Sequence, residues 1–188
     1  MLELEAVRGG IFKYPDILHK KDYTVIVFTS VQCPYALAYF STLERIANEF
    51  KYGDSVVFYL VNSNVSSDDE PESLDEMRKQ FPTLHMNFLR DEGGKLALRL
   101  GALATPECFV LDSSERVLWR GPVDQRFKPP SEWEDGLEGF WPWDDSPPAS
   151  PSTTSLELIL DQLIEGKPIT AEEVPAIGCT IKYEGGTR

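Results

Sequence analysis

Three cysteines, Cys33, Cys108 and Cys179, are the residues of this chain best suited to chemistry. Cys33 lies in Phe28-Thr29-Ser30-Val31-Gln32-Cys33-Pro34-Tyr35-Ala36. An apolar, β-branched run (Val25, Ile26, Val27, Phe28) ends just before this segment and an amphipathic pattern begins just after Cys33. That spacing predicts a thiol on a strand-to-helix turn. Pro34 suits the first helical position, because its φ is already fixed there and its missing N–H is no loss. A helix N-terminus carries unpaired N–H groups and a partial positive charge. Both stabilise a thiolate, the reactive form of cysteine. The competing reading is a buried cysteine acting as a small apolar side chain. Cys108 fits that second description: it sits in the β-run Glu107-Cys108-Phe109-Val110-Leu111 and is expected in the core. Three cysteines are too few, and odd in number, for a disulfide-stapled scaffold. With only His19 and His85, and no Cys-x-x-Cys or His-x-x-x-His spacing, no metal site is expected. No organic cofactor is implied.

The elements that must hold Cys33 follow from periodicity. Residues 1–20 read as a lead-in segment. Residues 23–29 and 56–61 read as buried strands. Between them, apolar positions 36, 37, 40, 43, 47 and 50 follow helical spacing, stopped at Gly53-Asp54. An acidic turn at 66–71 leads to a helix opening at Pro71 and running to about Gln80. A short strand is expected at 86–89 and a short helix at 96–100, capped by Gly101. Residues 107–111 and 116–120 read as a β-hairpin around Asp112-Ser113-Ser114-Glu115. Residues 128–152 are proline-rich and read as an extended surface loop. Within it, Trp141 and Trp143 either pin the loop to the domain or form a patch for a protein partner. The capping box Thr154-Ser155-Leu156-Glu157 opens a last helix, ended by Gly166 and Pro168. The order β-α-β-α, short elements, β-β, α implies a mixed sheet flanked by helices in a single α/β domain.

The chain has 188 residues and a formal net charge of −13, which disfavours nucleic acid and anionic membrane as partners. No window is apolar enough to span a membrane. No signal peptide is visible, which favours a cytoplasmic location.

That element order, with a cysteine at the first strand-to-helix turn, resembles a thioredoxin-like fold. Cys33-Pro34-Tyr35, Thr105-Pro106-Glu107 and the tail Gly178-Cys179-Thr180-Ile181-Lys182-Tyr183 resemble the redoxin (AhpC/TSA-type) subgroup. Asn62-Ser63-Asn64, Leu89-Arg90-Asp91-Glu92 and Trp119-Arg120-Gly121 agree with it. The resemblance spans about residues 23–183, with the loop at 128–152 outside it. It implies a cis bond at Thr105–Pro106, with Thr105 and Pro106 forming the wall opposite Cys33. Pro34 and Tyr35 complete the expected substrate-binding surface.

The chain departs from its relatives at defined points. Where thioredoxins carry the second cysteine of Cys-x-x-Cys, this chain has Ala36. Peroxiredoxins carry proline and threonine where Ile26 and Ser30 stand, and copper chaperones a cysteine where Leu37 stands. Cys33 therefore needs a resolving thiol from elsewhere, either an external thiol reductant or Cys179 on the tail. Thiol–disulfide exchange with Cys33 as nucleophile is the first expectation. A one-cysteine peroxidase with antioxidant activity is the second, and a non-catalytic partner-binding module the third. Substrates are accordingly protein or small-molecule disulfides, or peroxides. In space, Arg120 or Arg126 is a possible source of positive charge for the thiolate, and Glu107 of negative charge against it.

Overall fold

The computed structural model describes residues 1–51, 54–82, 84, 86–125, 155–171 and 173–184. Its strands are β1 (Leu2–Ala6), β2 (Ile11–Tyr14), β3 (Tyr23–Thr29), β4 (Val56–Asn62), β5 (Asn87–Arg90), β6 (Ala104–Thr105), β7 (Glu107–Asp112), β8 (Val117–Gly121) and β9 (Cys179–Thr180). Its helices are α1 (Pro34–Lys51), α2 (Leu74–Gln80), α3 (Lys95–Leu100) and α4 (Leu156–Ile164). Among the described residues, a seven-stranded sheet runs in the order β2-β1-β5-β4-β3-β7-β8, and β6 and β9 form a separate two-stranded pair. β3 pairs in parallel with β4 and antiparallel with β7, so the sheet is mixed. This is a thioredoxin-like α/β fold.

Strand alternation sorts the core onto two faces. Val25 and Val27 of β3 face Tyr39, Phe40, Leu43 and Ile46 of α1, Met77 of α2, and Leu156, Ile159 and Leu160 of α4. Ile26 and Phe28 face the other way, towards Ile17, Leu18, Leu96, Ala97 and Ile181. β3 is buried on both faces, which is why it reads as an uninterrupted apolar run. Cys108 faces α1 together with Val110 and is fully buried, as its alternation with Phe109 predicts.

Four expectations need correction. The lead-in segment is not outside the sheet: β1 and β2 pair with each other and extend the sheet beyond β5. The strict alternation Leu2-Glu3-Leu4-Glu5-Ala6 suits a strand with one buried face. Helix α2 starts at Leu74 rather than Pro71, because the Ser73 side chain accepts from Glu76 N–H and caps it there. In α4 the cap is Ser155, accepting from Leu158 N–H at 3.3 Å, and not Thr154, which lies outside the described residues. The short strand and the second hairpin strand each sit one residue later than expected, at Asn87–Arg90 and Val117–Gly121. The loop at 128–152, with Trp141 and Trp143, also lies outside the described residues.

Candidate active site

Cys33 sits between the end of β3 and the start of α1, and its carbonyl accepts from Leu37 N–H at 2.9 Å, the first bond of that helix. The turn that carries it is tied by Ser30, whose hydroxyl oxygen accepts from Gln32 N–H (3.0 Å) and Cys33 N–H (2.9 Å). Ser30 in turn donates to Glu72. The Glu72 carboxylate also accepts from Val31 N–H at 3.0 Å and from Asn62 Nδ2 at 2.6 Å. Glu72 is only 4% exposed, and with three polar partners on two segments its carboxylate fixes the cysteine turn to the end of β4. The sequence gives no sign of this role. The sequence reads as an acidic turn at 66–71 with Glu72 in the first turn of a helix opening at Pro71; the helix starts at Leu74 instead, and Glu72 before it is buried.

The opposite wall is Thr105 and Pro106, both buried, joined by a cis peptide bond. The Cys33 thiol donates to the Thr105 carbonyl at 3.1 Å. β9 pairs antiparallel with β6, setting Cys179 opposite Thr105. The tail is the element that completes the site. The Thr105 hydroxyl donates to the Cys179 carbonyl at 3.3 Å, and Lys182 N–H donates to Asn64 Oδ1 at 3.0 Å. A narrow cleft of about 60 Å³ remains, lined by Cys33, Cys179, Thr105, Glu72, Asn64 and Lys182 among others. Pro34 is exposed on the rim and Tyr35 is half-buried beside it. Burial pushes the Tyr35 hydroxyl pKa up, and the nearby Cys179 and Cys33 sulfurs add to that.

The electrostatics single out one sulfur. Cys33 is lowered from 9.0 to about 6. The first cause is the Cys179 side chain beside it; the Thr105 side chain and the N–H groups of Ala36 and Cys179 contribute further, against the opposing effect of burial. The helix N-terminus, which the sequence puts forward as the cause, therefore ranks behind a neighbouring thiol. Cys179 is pushed up, because its proton is held by the Cys33 sulfur and because it is partly buried. The two titrate as a pair that gives up its first proton near neutrality and holds the second. Cys108 is pushed well above its ordinary value by complete burial.

Other charges are placed differently from expectation. Glu107 turns away from Cys33 and accepts from Leu103 N–H (2.7 Å) and Ala104 N–H (3.3 Å); its charge raises Cys108 instead. Arg120 pairs with Glu173 at 3.6 Å, and Arg126 lies outside the described residues. Among the described residues, no three His, Cys, Asp or Glu side chains are grouped as a metal ion would require, and no helix is long and apolar enough to cross a membrane.

Comparison with known proteins bears on the family and the fold. A model of the thioredoxin-like family matches residues 21–117. Among solved structures, a hypothetical protein from Sinorhizobium meliloti is similar over 98% of this chain and 91% of its own, at 22% identity and a TM-score of 0.75. An uncharacterized conserved protein from Geobacillus kaustophilus matches over 97% and 88%, at 27% identity and a TM-score of 0.74. An exposed lipoprotein thioredoxin from Streptococcus pneumoniae matches over 64% and 87%, at 23% identity and a TM-score of 0.53. No curated protein matches the chain.

Proposed function

Because this chain belongs to the thioredoxin-like family, we propose that it is a thiol–disulfide oxidoreductase in which Cys33 is the nucleophile and Cys179 the resolving thiol. The observation that carries this reading is the placement of Cys179 opposite Thr105, whose carbonyl lies 3.1 Å from the Cys33 sulfur, so that both cysteines line one cleft; the Cys33 pKa, lowered to about 6, agrees with it. At pH 7 such a group is roughly nine-tenths thiolate. The Cys33 thiolate attacks one sulfur of a substrate disulfide, forming a mixed disulfide and expelling the other sulfur as a thiolate. Proton loss from Cys179 follows once Cys33 no longer carries negative charge. The Cys179 sulfur then attacks Cys33 Sγ, forming the Cys33–Cys179 disulfide and releasing the second substrate thiolate. The proton from Cys179 and one from solvent end on the two substrate thiols, so the substrate is reduced by two electrons and the protein oxidised by two. An external thiol reductant restores the pair.

Thr105 and Pro106 support this reading as the wall against which the sulfurs meet, and Pro34 and Tyr35 as the rim. The Cys-Pro-Tyr turn and the Gly-Cys-Thr-Ile-Lys-Tyr tail favour placement in the redoxin subgroup. A thiol already beside Cys33 favours two-cysteine exchange over a one-cysteine peroxidase.

The test is peptide mapping without reductant after mild oxidation. A Cys33–Cys179 link is expected, absent from the Cys179→Ala variant. Intact protein in which Cys33 joins only external thiols would overturn the assignment of Cys179.

A further inference from the structure

We propose that the substrate of this site is a low-molecular-weight disulfide rather than a disulfide within a protein chain, because the protein's own tail occupies the backbone edge that a substrate chain would use. The inference rests on the reading of Cys33 as nucleophile and adds the substrate class to it.

The edge in question is that of Thr105, whose carbonyl touches the Cys33 sulfur at 3.1 Å. An extended polypeptide bringing a cysteine to Cys33 would be held best by adding a strand there, since a free strand edge offers a row of N–H and C=O groups to a docking peptide. Here the edge is already paired. β9 runs antiparallel to β6, with Ala104 opposite Thr180 and Thr105 opposite Cys179. The approach is close enough that a Cβ on Gly178 would lie 2.0 Å from the Thr105 carbonyl oxygen. Only glycine permits that distance, so no second chain fits between.

The tail is fastened along its length. Ile181 is fully buried in the core, and its N–H donates to the Leu103 carbonyl at 3.1 Å. On the other side of the cleft, Val65 N–H donates to the Lys182 carbonyl at 2.8 Å, and the Lys182 ammonium pairs with Glu70. The Tyr183 hydroxyl donates to the Ala102 carbonyl at 3.0 Å, and its ring lies where a side chain on Gly94 would be, 2.7 Å from that position. The strap thus bridges two segments on either side of the reactive sulfur. Cys33 itself is 3% exposed, and access to it runs through the cleft between the tail and Glu72. A compact disulfide enters such a cleft; a folded protein surface does not.

The step is the exchange already described, with the substrate as an RS–SR molecule. Its two sulfurs leave as two RSH, and the protein retains one disulfide. The probes are bis(2-hydroxyethyl) disulfide, small and uncharged, and insulin, whose disulfides lie within a protein. With the full reduced chain, Cys33 oxidation by the small disulfide is expected at least about a hundredfold faster than by insulin at equal disulfide concentration. Gly178→Ala pushes β9 off β6 and should raise the ratio of insulin rate to small-disulfide rate at least about tenfold; displacement of Cys179 lowers the reactivity of Cys33 towards both probes alike and so leaves the ratio untouched. Tyr183→Ala loosens the same strap from its far end and serves as an independent second variant with the same expected direction. Wild-type protein that reduces both probes at similar rates overturns the proposed substrate class and leaves the redox reading intact. A rate ratio unchanged in both variants, with protease cleavage of the tail showing it loosened, also overturns it. If neither probe oxidises Cys33, the thiol–disulfide reading falls and the substrate class falls with it.

Discussion

Replacing Cys179 with alanine tests the electrostatic account most directly. Cys33 is lowered from 9.0 to about 6, and the Cys179 thiol is the foremost cause. The Ala36 and Cys179 N–H groups and the Thr105 side chain remain in the variant. If the foremost cause supplies about half of the lowering from 9.0 to about 6, the variant's Cys33 pKa rises by about 1.5 units to about 7.5, roughly 2 kcal/mol of lost preference for the thiolate. At pH 6 the thiolate fraction then falls from about one-half to about 3%. A more basic thiolate is also a better nucleophile, by about fivefold for this shift at a Brønsted slope near 0.45. The two effects oppose each other. The variant should be alkylated by iodoacetamide about threefold more slowly than wild type at pH 6 and about fivefold faster at pH 9, with the curves crossing near pH 7. The assay follows the Cys33 peptide by mass spectrometry, so that labelling of Cys179 in wild type does not enter. Easier access in the variant raises its whole curve without moving the midpoint, so the midpoint is the decisive quantity. A Cys179→Ala midpoint within about 0.3 units of wild type would refute the claim that the tail thiol activates Cys33. Cys179→Ser keeps a donor and should fall between the two.

Further expectations concern the groups around this pair. Glu72→Ala leaves Val31 N–H, the Asn62 amide and the Ser30 hydroxyl without their acceptor, and should cost about 3 kcal/mol in urea unfolding at pH 7. A loss under about 1 kcal/mol would mean that water replaces the carboxylate at no great expense. The lowered Cys33 pKa implies stability that is present above its unfolded value and lost as pH falls through about 6. The stability difference between wild type and Cys33→Ala should therefore grow from pH 5 to pH 8, by no more than about 1.4 kcal/mol per unit; a flat or falling difference contradicts the assignment. Cys108, buried and pushed up, should stay unlabelled by iodoacetamide at pH 8 in folded protein, and Cys108→Ala should leave the Cys33 alkylation profile unmoved. Labelling of Cys108 at a rate near that of Cys33 would place it outside the core.

The elements around Cys33 were legible because their signals are local. A β-branched run buried on both faces of the sheet leaves no polar alternation to confuse it, and α1 repeats its apolar residues at the helical period. Cys33-Pro34 at the junction of those two patterns follows directly. The sequence reading misses the first strand, although Leu2-Glu3-Leu4-Glu5-Ala6 alternates as a strand with one buried face does, because the segment reads as a lead-in. Local signals also blurred the helix starts, since Ser73 and Ser155 compete with neighbouring Pro71 and Thr154 for the cap, and only hydrogen-bond geometry decides. Nothing in the sequence reports which acidic residue of the run before α2 turns inward. Glu72 is selected by three partners on the cysteine turn and β4 that come together only in the folded chain. Cys179 is put forward by the tail motif as a candidate, but its place in the fold was not readable. Its strand is two residues long and pairs with another two-residue strand 74 positions away, too short on either side to leave a periodic trace. The sequence alone determined that Cys33 stands at the mouth of a helix. Tertiary structure decided that a second thiol lies against it, because that contact depends on a glycine-permitted approach of two distant backbones and not on either segment's own preference.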